Sequence, residues 1–294
     1  MQGGEGEPLP ERLRVDLGPA AGHRRLAVFV RGPRDDPRPV LCVHGLTRNA
    51  RDFDALALAL AARGRRVLQL DVAGRGASDP LPDPGGYDLP TYARDVMLLV
   101  DRLEIGRVDW VGTSMGGLVA LELARHTPER IGRLVLNDIG PWVPREALAP
   151  IADYLGRDPV FPTLDALEAH LRAVHHGFGP LTDAQWRHLA LHSARRDGAG
   201  RFRLHYDPRI REPFLARAVA DIDLWDGFAR LAEPVLVLRG AESPILPEAV
   251  VAEMVRRRPG TEVRTFAGVG HAPALMDPAQ IAPVVAFLAA DRVQ

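Results

Sequence analysis

Short apolar runs rich in β-branched residues alternate along the chain with segments whose apolar positions recur at helical spacing. Leu26–Val30 (LAVFV), Val40–Val43 (VLCV), Val67–Leu70 (VLQL), Val108–Val111 and Leu134–Leu136 read as buried strands. Between them, Phe53–Ala62 reads as an Ala/Leu helix, Tyr92–Leu103 as an amphipathic one, and Gly116–Arg125 as a helix that stops before Pro128. This alternation predicts an α/β class fold, a mostly parallel sheet with helices on both faces. The alternation breaks after Gly140. From about Pro141 to Arg230 the chain carries helical segments, many prolines and three of its four tryptophans. Strand character returns at Val235–Leu238 (VLVL) and Val263–Phe266, each followed by a helix. The expectation is a core in two parts, residues 1–140 and 231–294, interrupted by an all-helical cap at 141–230. Residues 1–10, rich in Gly, Glu and Pro, are expected to form a loose leader.

With 294 residues, 46% of them hydrophobic, the chain can bury a sizeable core. Its 37 basic and 38 acidic residues are interspersed, so no basic stripe points to nucleic acid. Every basic residue is arginine, and without a lysine there is no Schiff-base, pyridoxal or P-loop chemistry. The single cysteine, Cys42, lies in an apolar run; it rules out an intramolecular disulfide and a thiolate metal cluster. The N-terminus lacks the pattern of a signal peptide, and no run approaches the ~20 apolar residues that span a bilayer. These patterns suggest a cytoplasmic protein without membrane or nucleic-acid partners. They leave the oligomeric state open.

The most specific chemical signal is Gly112-Thr113-Ser114-Met115-Gly116, a G-x-S-x-G between a strand and a helix. A sharp turn there lifts a serine hydroxyl above the sheet edge, and the glycines let backbone segments approach closely. The N–H of Met115 then points at a developing oxyanion beside the positive end of a helix. The chain has four serines, so chance from glycine frequency predicts roughly 0.04 such matches. A second signal, Val43-His44-Gly45-Leu46-Thr47-Arg48, closes an early strand, where the other oxyanion donor is expected at Leu46. His44 precedes the serine and is assigned to shaping that loop. A third, Gly268-Val269-Gly270-His271-Ala272, sets His271 on a Gly-rich loop at the sheet's carboxyl edge, where it can reach the serine as general base.

Taken together, HGLTR, DVAGRGASD, GTSMGG, NDIGP, RGAESPILP and GVGHAP resemble the α/β-hydrolase superfamily, from about Val28 to the C-terminus. The likeness is greatest to capped bacterial carboxylesterase-like members. The resemblance implies Ser114 as nucleophile, His271 as base, the Leu46 and Met115 N–H groups as oxyanion hole, and no cofactor or metal. It also exposes a departure. Family members carry the triad acid in a G-x-x-D pattern after the strand matching VLVL, yet here Gly240-Ala241-Glu242-Ser243-Pro244 has Ser243 at that place. Two acids remain: Asp138, just past the preceding strand in Asn137-Asp138-Ile139-Gly140-Pro141, and the alternative Glu242. Asp138 is preferred, because some superfamily esterases pair a D-I-x-P with such a turn.

The remaining features are weaker. Ser78 reads as a turn residue. His188 and His192 at i,i+4 could share a metal, but no third ligand pattern accompanies them. His175-His176 reads as cap surface or pocket lining. Trp142, Phe178 and Trp186 are candidates for lining the substrate pocket. A small-molecule carboxylic ester is the expected substrate. A C–C bond hydrolase acting on a ketone-bearing acid and a non-catalytic receptor of the same fold are the rival readings, and a serine where epoxide and haloalkane hydrolases use aspartate argues against those two.

Overall fold

The computed structural model describes residues 9–216 and 220–289. Its strands are β1 (Glu11–Asp16), β2 (Arg25–Arg31), β3 (Val40–Val43), β4 (Val67–Leu70), β5 (Val108–Thr113), β6 (Ile131–Asn137), β7 (Val235–Gly240) and β8 (Glu262–Phe266). They form one eight-stranded sheet in the order β1-β2-β4-β3-β5-β6-β7-β8. β2 pairs antiparallel with both β1 and β4, and all the other pairings are parallel. Every residue of β3 and β4 is buried, which is why VLCV and VLQL read as unbroken apolar runs: both faces of a parallel sheet are covered.

Alternate residues feed two separate cores. Val40, Cys42, Val67, Val111 and Val135 pack under helices Asp54–Ala61 and Pro278–Ala289, with Leu56, Leu60, Val284 and Leu288 closing that layer. Leu41, Val43, Leu68, Leu70 and Leu136 face helices Leu89–Arg102 and Met115–Ala124 through Val96, Leu99, Leu118 and Leu121. Cys42 is fully buried, and desolvation pushes its thiol far up, so it packs as a small hydrophobe. Strand β1 has no counterpart in the apolar pattern. It is an edge strand, half in solvent, and its sequence ERLRVD alternates charges where a buried strand would be apolar.

Between β6 and β7 lie helices Arg145–Tyr154, Leu164–Val174, Asp183–Ser193 and Trp225–Arg230 and the short helix Glu212–Ala216. The expectation of an all-helical insertion is corrected here. Trp142–Val143 pairs antiparallel with Ile222–Asp223, and Ala194–Arg196 with Phe202–Leu204. These ribbons have strands two or three residues long, too short to show a period of two. Of the leader, residues 1–8 lie outside the described residues. Among those described, no helix is long and apolar enough to cross a membrane.

The six parallel strands end on one edge, and the loops after β3, β5, β6, β7 and β8 meet there. Their approach is set by glycines. A Cβ on Gly116 would lie 2.0 Å from the Val43 carbonyl oxygen, and one on Gly112 would lie 2.4 Å from the Gly117 nitrogen. The helix after β5 therefore rests directly on the ends of β3 and β5. Gly116→Ala is expected to lower the unfolding free energy by about 1–3 kcal/mol in denaturant titration, whereas Gly106→Ala, with nothing within 4 Å of its Cβ position, stays within about 0.5 kcal/mol of the parent. Equal stability of the two variants would refute the close-packing argument.

Candidate active site

Ser114 occupies the turn between β5 and helix Met115–Ala124 with φ 52° and ψ −117°, a conformation that a side-chain-bearing residue rarely adopts. The surroundings hold it there. Its N–H donates to the Asn137 carbonyl (3.0 Å), and its own carbonyl accepts from Gly117 N (2.9 Å) and Leu118 N (3.2 Å). The hydroxyl faces His271, with Oγ 2.8 Å from Nε2. On the other side of the ring, Nδ1 lies 2.7 Å from Asp138 Oδ2.

Asp138 is fully buried at the end of β6, with φ 56°. Its backbone N–H donates to the Leu238 carbonyl (2.8 Å), and its Oδ1 accepts from the Gly240 N–H (2.8 Å). Both carboxylate oxygens thus have a donor. An ionised carboxylate only accepts, so the imidazole proton sits on Nδ1 and Nε2 is left to accept from the serine hydroxyl. Glu242, by contrast, is exposed on the turn after β7, and among the described residues its carboxylate makes no hydrogen bond to His271. Its neighbour Ser243 accepts from Ile245 N (3.2 Å) and Leu246 N (3.3 Å), shaping the turn. The structure therefore gathers Ser114, His271 and Asp138 and leaves Glu242 outside.

Leu46 and Met115 both border the cavity beside Ser114. Met115 opens its helix, where the first N–H groups have no intrahelical acceptor. The Leu46 loop is braced from beneath. Arg75, fully buried, donates to the Leu46 carbonyl (2.9 Å), the Ala73 carbonyl (2.7 Å) and the Tyr92 hydroxyl (2.7 Å). His44 accepts from Val72 N at Nε2 (3.1 Å) and donates from Nδ1 to the Gly45 carbonyl (2.7 Å). Burial, reinforced by Arg75 and Arg48, drives its pKa down to about 3, so it stays a neutral strut. Ser78 donates to the Asp71 carbonyl (2.6 Å) and accepts from Ala27 N (2.8 Å), as a turn residue would. Two contributors carry no signal of their own in the sequence. Arg75 lies unremarked within DVAGRGASD, and Asn137 bonds through Nδ2 to Thr113 Oγ1 (3.0 Å) and the Pro273 carbonyl (2.8 Å), tying β5 to the His271 loop.

The cavity at Ser114 measures about 270 Å³ and is mainly aliphatic, with Leu118, Ile139, Leu148, Ile151, Phe214 and Ile222 among its walls. None of the three aromatic candidates lines it, which corrects the expectation for Trp142, Phe178 and Trp186. Phe178 and Trp186 stack on each other (centroids 6.4 Å apart) in a separate cluster with Leu167, Leu171 and Leu189. Phe178 borders a smaller cavity of about 30 Å³ with Gly45 and Thr113. Trp142 packs, partly buried, against the main core. The rings that do line the Ser114 cavity are Tyr87, Tyr92 and Phe214, which the sequence does not distinguish.

Folding supplies the third ligand that the His188/His192 pair lacks in sequence. Asp54 joins them, with ligating atoms all within 4.8 Å. The Asp54 carboxylate is already held by Arg51 Nε (2.8 and 3.0 Å) and by Gln69 Nε2 (2.8 Å), and His188 Nε2 lies 3.0 Å from the Arg51 carbonyl. Burial brings His192 down to about 4.

A parallel-dominated eight-stranded sheet with a serine on the strand–helix turn, a histidine after the last strand and a buried acid defines the hydrolase class. The chain belongs to the α/β hydrolase fold family, whose sequence model matches residues 38–278. It is 42% identical over 270 residues to the 3-hydroxybutyrate-oligomer hydrolase of Cupriavidus necator, covering 89% of this chain and 92% of that protein. It is 28% identical to the 2-(acetamidomethylene)succinate hydrolase of Mesorhizobium japonicum, over 88% of this chain and 87% of that one. Among solved structures, an α/β hydrolase from Novosphingobium aromaticivorans superposes with TM-score 0.86 and 38% identity, covering 96% of this chain and 99% of that chain. Family membership and these relatives support a hydrolase.

The neutral strut His44 predicts acid lability. Its folded pKa of about 3 lies below the unfolded value of 6.5, so the unfolded chain binds the extra proton between them. Its stabilising contribution is complete above pH ~6.5 and is lost as pH falls towards 3, by up to about 1.4 kcal/mol per unit. His44→Gln is expected to flatten that slope by one proton equivalent in denaturant titrations at pH 5 and 7. An unchanged slope would show that His44 is protonated in the folded protein.

Proposed function

We propose that the protein is a serine esterase that cleaves carboxylic esters through an acyl-enzyme on Ser114. The observation that carries the reading is the continuous relay from Ser114 Oγ through His271 (2.8 and 2.7 Å) to the buried carboxylate of Asp138. In the proposed reaction His271 Nε2 takes the serine proton as Oγ attacks the carbonyl carbon. The oxyanion accepts from the Leu46 and Met115 N–H groups, while Asp138 holds Nδ1–H and stabilises the imidazolium. The ester C–O bond then breaks, with His271 returning the proton to the leaving alkoxide. Water, deprotonated by the same ring, frees the acid. No step calls for a metal or cofactor.

The segment between β6 and β7 acts as a cap: Leu148, Ile151, Phe214 and Ile222 wall the same cavity as Ser114. An aliphatic chamber of about 270 Å³ suits a short acyl or alkyl group. The 42% identical relative, named for 3-hydroxybutyrate oligomers, favours a hydroxy-acid oligoester as the natural substrate.

Ser114→Ala is expected to lower p-nitrophenyl ester turnover by at least about four orders of magnitude and to abolish fluorophosphonate labelling. Labelling that persists in the variant would reassign the nucleophile, and labelling of the parent without turnover would favour a receptor. A ketone-bearing acid belongs in the same substrate panel; its turnover with every ester left intact would replace the ester reading with C–C cleavage.

The acid is tested separately. Asp138→Asn should reduce kcat by about four orders of magnitude, and Glu242→Gln by less than about tenfold. A near-normal Asp138→Asn beside an inactive Glu242→Gln would reverse the assignment.

Cavity-wall substitutions separate pocket from packing. Ile222→Trp is expected to shift acyl preference towards shorter chains at little change in melting temperature. Trp186→Ala should cost about 3–5 kcal/mol of stability and leave the preference alone. The opposite pattern would return Trp186 to the pocket.

A further inference from the structure

A second cavity, of about 370 Å³, lies on the far side of the oxyanion loop from the aliphatic one. Leu46 faces the aliphatic cavity with Ser114, whereas the next two residues, Thr47 and Arg48, line the second. Arg157, His170, His175 and Tyr206 complete its polar walls, and none of the described residues lining it is acidic. Its cations are unevenly engaged. Arg48 spends Nε and Nη2 on Asp52 (both 2.7 Å) and keeps Nη1 uncommitted among the described residues. Arg157 is exposed at the rim, and its guanidinium has no ion-pair or hydrogen-bond partner among the described residues. Asp158, beside it in sequence, is taken by Arg203 (2.6 Å) and Arg195 (3.7 Å). With Arg48 already paired to Asp52, Arg157 is the cation at this cavity that, among the described residues, is open to an incoming anion.

The second cavity adjoins a small one nearer the reaction centre. Arg48 lines both, and Gly45 and Thr113, the neighbours of Leu46 and Ser114 in sequence, line the small one. His175 stacks on Phe178 (centroids 4.6 Å apart), and the Arg48 guanidinium lies 5.9 Å from the same ring. Desolvation, then Arg48, His170 and His271, hold the His175 imidazole well below its ordinary range, so it is neutral until an anion arrives beside it.

We propose that this cavity is a carboxylate subsite that selects esters whose alcohol half bears a free carboxylate, such as the acid end of a hydroxy-acid oligomer. The inference rests on the esterase reading and narrows its substrate class. In such an ester the carboxyl carbon lies four bonds from the reacting carbonyl carbon, roughly 5 Å at bond lengths near 1.5 Å. Two steps along the loop, from Leu46 to Arg48, cover a comparable distance of at most about 7 Å. In the proposed pose the carbonyl oxygen sits at the Leu46 N–H and the carboxylate extends past it into the cavity that Arg48 and Arg157 line. Hydrolysis releases the carboxylate-bearing alcohol on the cationic side and leaves the acyl group on Ser114, facing the aliphatic side.

The test compares the dimer of 3-hydroxybutyrate as its free acid and as its methyl ester, scoring cleavage of the internal ester, with p-nitrophenyl butyrate as a general esterase substrate. The expected result is a kcat/KM ratio of acid to methyl ester of about ten or more, arising mainly in KM, as one charge-assisted contact provides. Arg157→Gln should bring that ratio close to one, Arg157→Lys should retain part of it, and Arg157→Glu should take it below one. Because Arg157 is at the surface, rising salt should shrink the parent ratio. A parent ratio near one alongside brisk p-nitrophenyl butyrate cleavage overturns the subsite and leaves the esterase reading standing. A ratio that survives Arg157→Glu also overturns it. Failure of the folded parent to cleave any of the three esters removes the esterase reading itself, and the subsite with it.

Discussion

A buried carboxylate without donors is untenable in a protein interior, and Asp138 shows how this fold satisfies one. It is fully buried, and its two oxygens take the Gly240 N–H and the His271 Nδ1–H. Those donors belong to the end of β7 and to the loop after β8, so a residue at the end of β6 ties three segments of the carboxyl edge together. The backbone bond from Asp138 N to the Leu238 carbonyl adds a second clasp between β6 and β7. With the acid supplied from β6, the turn after β7 need not present a carboxylate to His271, and Ser243 closes that turn through its hydroxyl. The two departures from the common family pattern are thus one arrangement seen from two strands.

The same economy governs the floor of the site. His44 and Arg75 there are buried and hydrogen-bonded, and they brace the loop around Leu46. His44 is held neutral between a backbone donor and a backbone acceptor, and Arg75 spends its guanidinium on two carbonyls and a phenol, with the Tyr87 and Tyr92 rings 5.4 and 5.0 Å away. Below them Asp71 accepts from Ala50 N (2.7 Å) and Ala77 N (2.8 Å), and burial raises its pKa to about 6. Oxyanion donors act by being in place before charge develops, so rigidity beneath the loop is what such donors require.

How far the sequence disclosed this depends on the kind of signal. The central strands were legible because burial on both faces leaves an uninterrupted apolar run, and the strand–glycine–serine–glycine–helix order located Ser114 because backbone approach demands those glycines. Asp138 could be ranked above Glu242 only through the missing acid at Ser243; whether a carboxylate reaches an imidazole is a question of strand ends meeting across the sheet, and β6 and β7 are separated by about a hundred residues in sequence. Strand β1 was illegible because its residues are mostly charged, and the two small ribbons because strands of two or three residues show no period; pairing rather than hydrophobicity defines them. The aromatic residues misled for a physical reason. Phe178 and Trp186 stack on each other in a separate cluster and Trp142 packs against the main core, while the cavity walls are made of Leu and Ile together with Tyr87, Tyr92 and Phe214.

The long connection from β6 to β7 contributes to both spaces around the reacting bond. Its apolar residues Leu148, Ile151, Phe214 and Ile222 close the chamber at Ser114, while Arg157, His170 and His175 line the second cavity. The core supplies the divider, a loop whose successive residues Leu46 and Thr47 face opposite sides. In the proposed reading such an arrangement would distinguish the two halves of a substrate by polarity, with the core fixing where the bond lies and the insertion fixing what lies on either side of it. The divider depends on the buried struts of the core, and the walls depend on side chains that neither the sheet nor the relay uses. Changes in the insertion can therefore alter the shape and polarity of these cavities without disturbing the geometry between Ser114, His271 and Asp138, which is the separation of scaffold and specificity that loop-built sites on α/β sheets exploit.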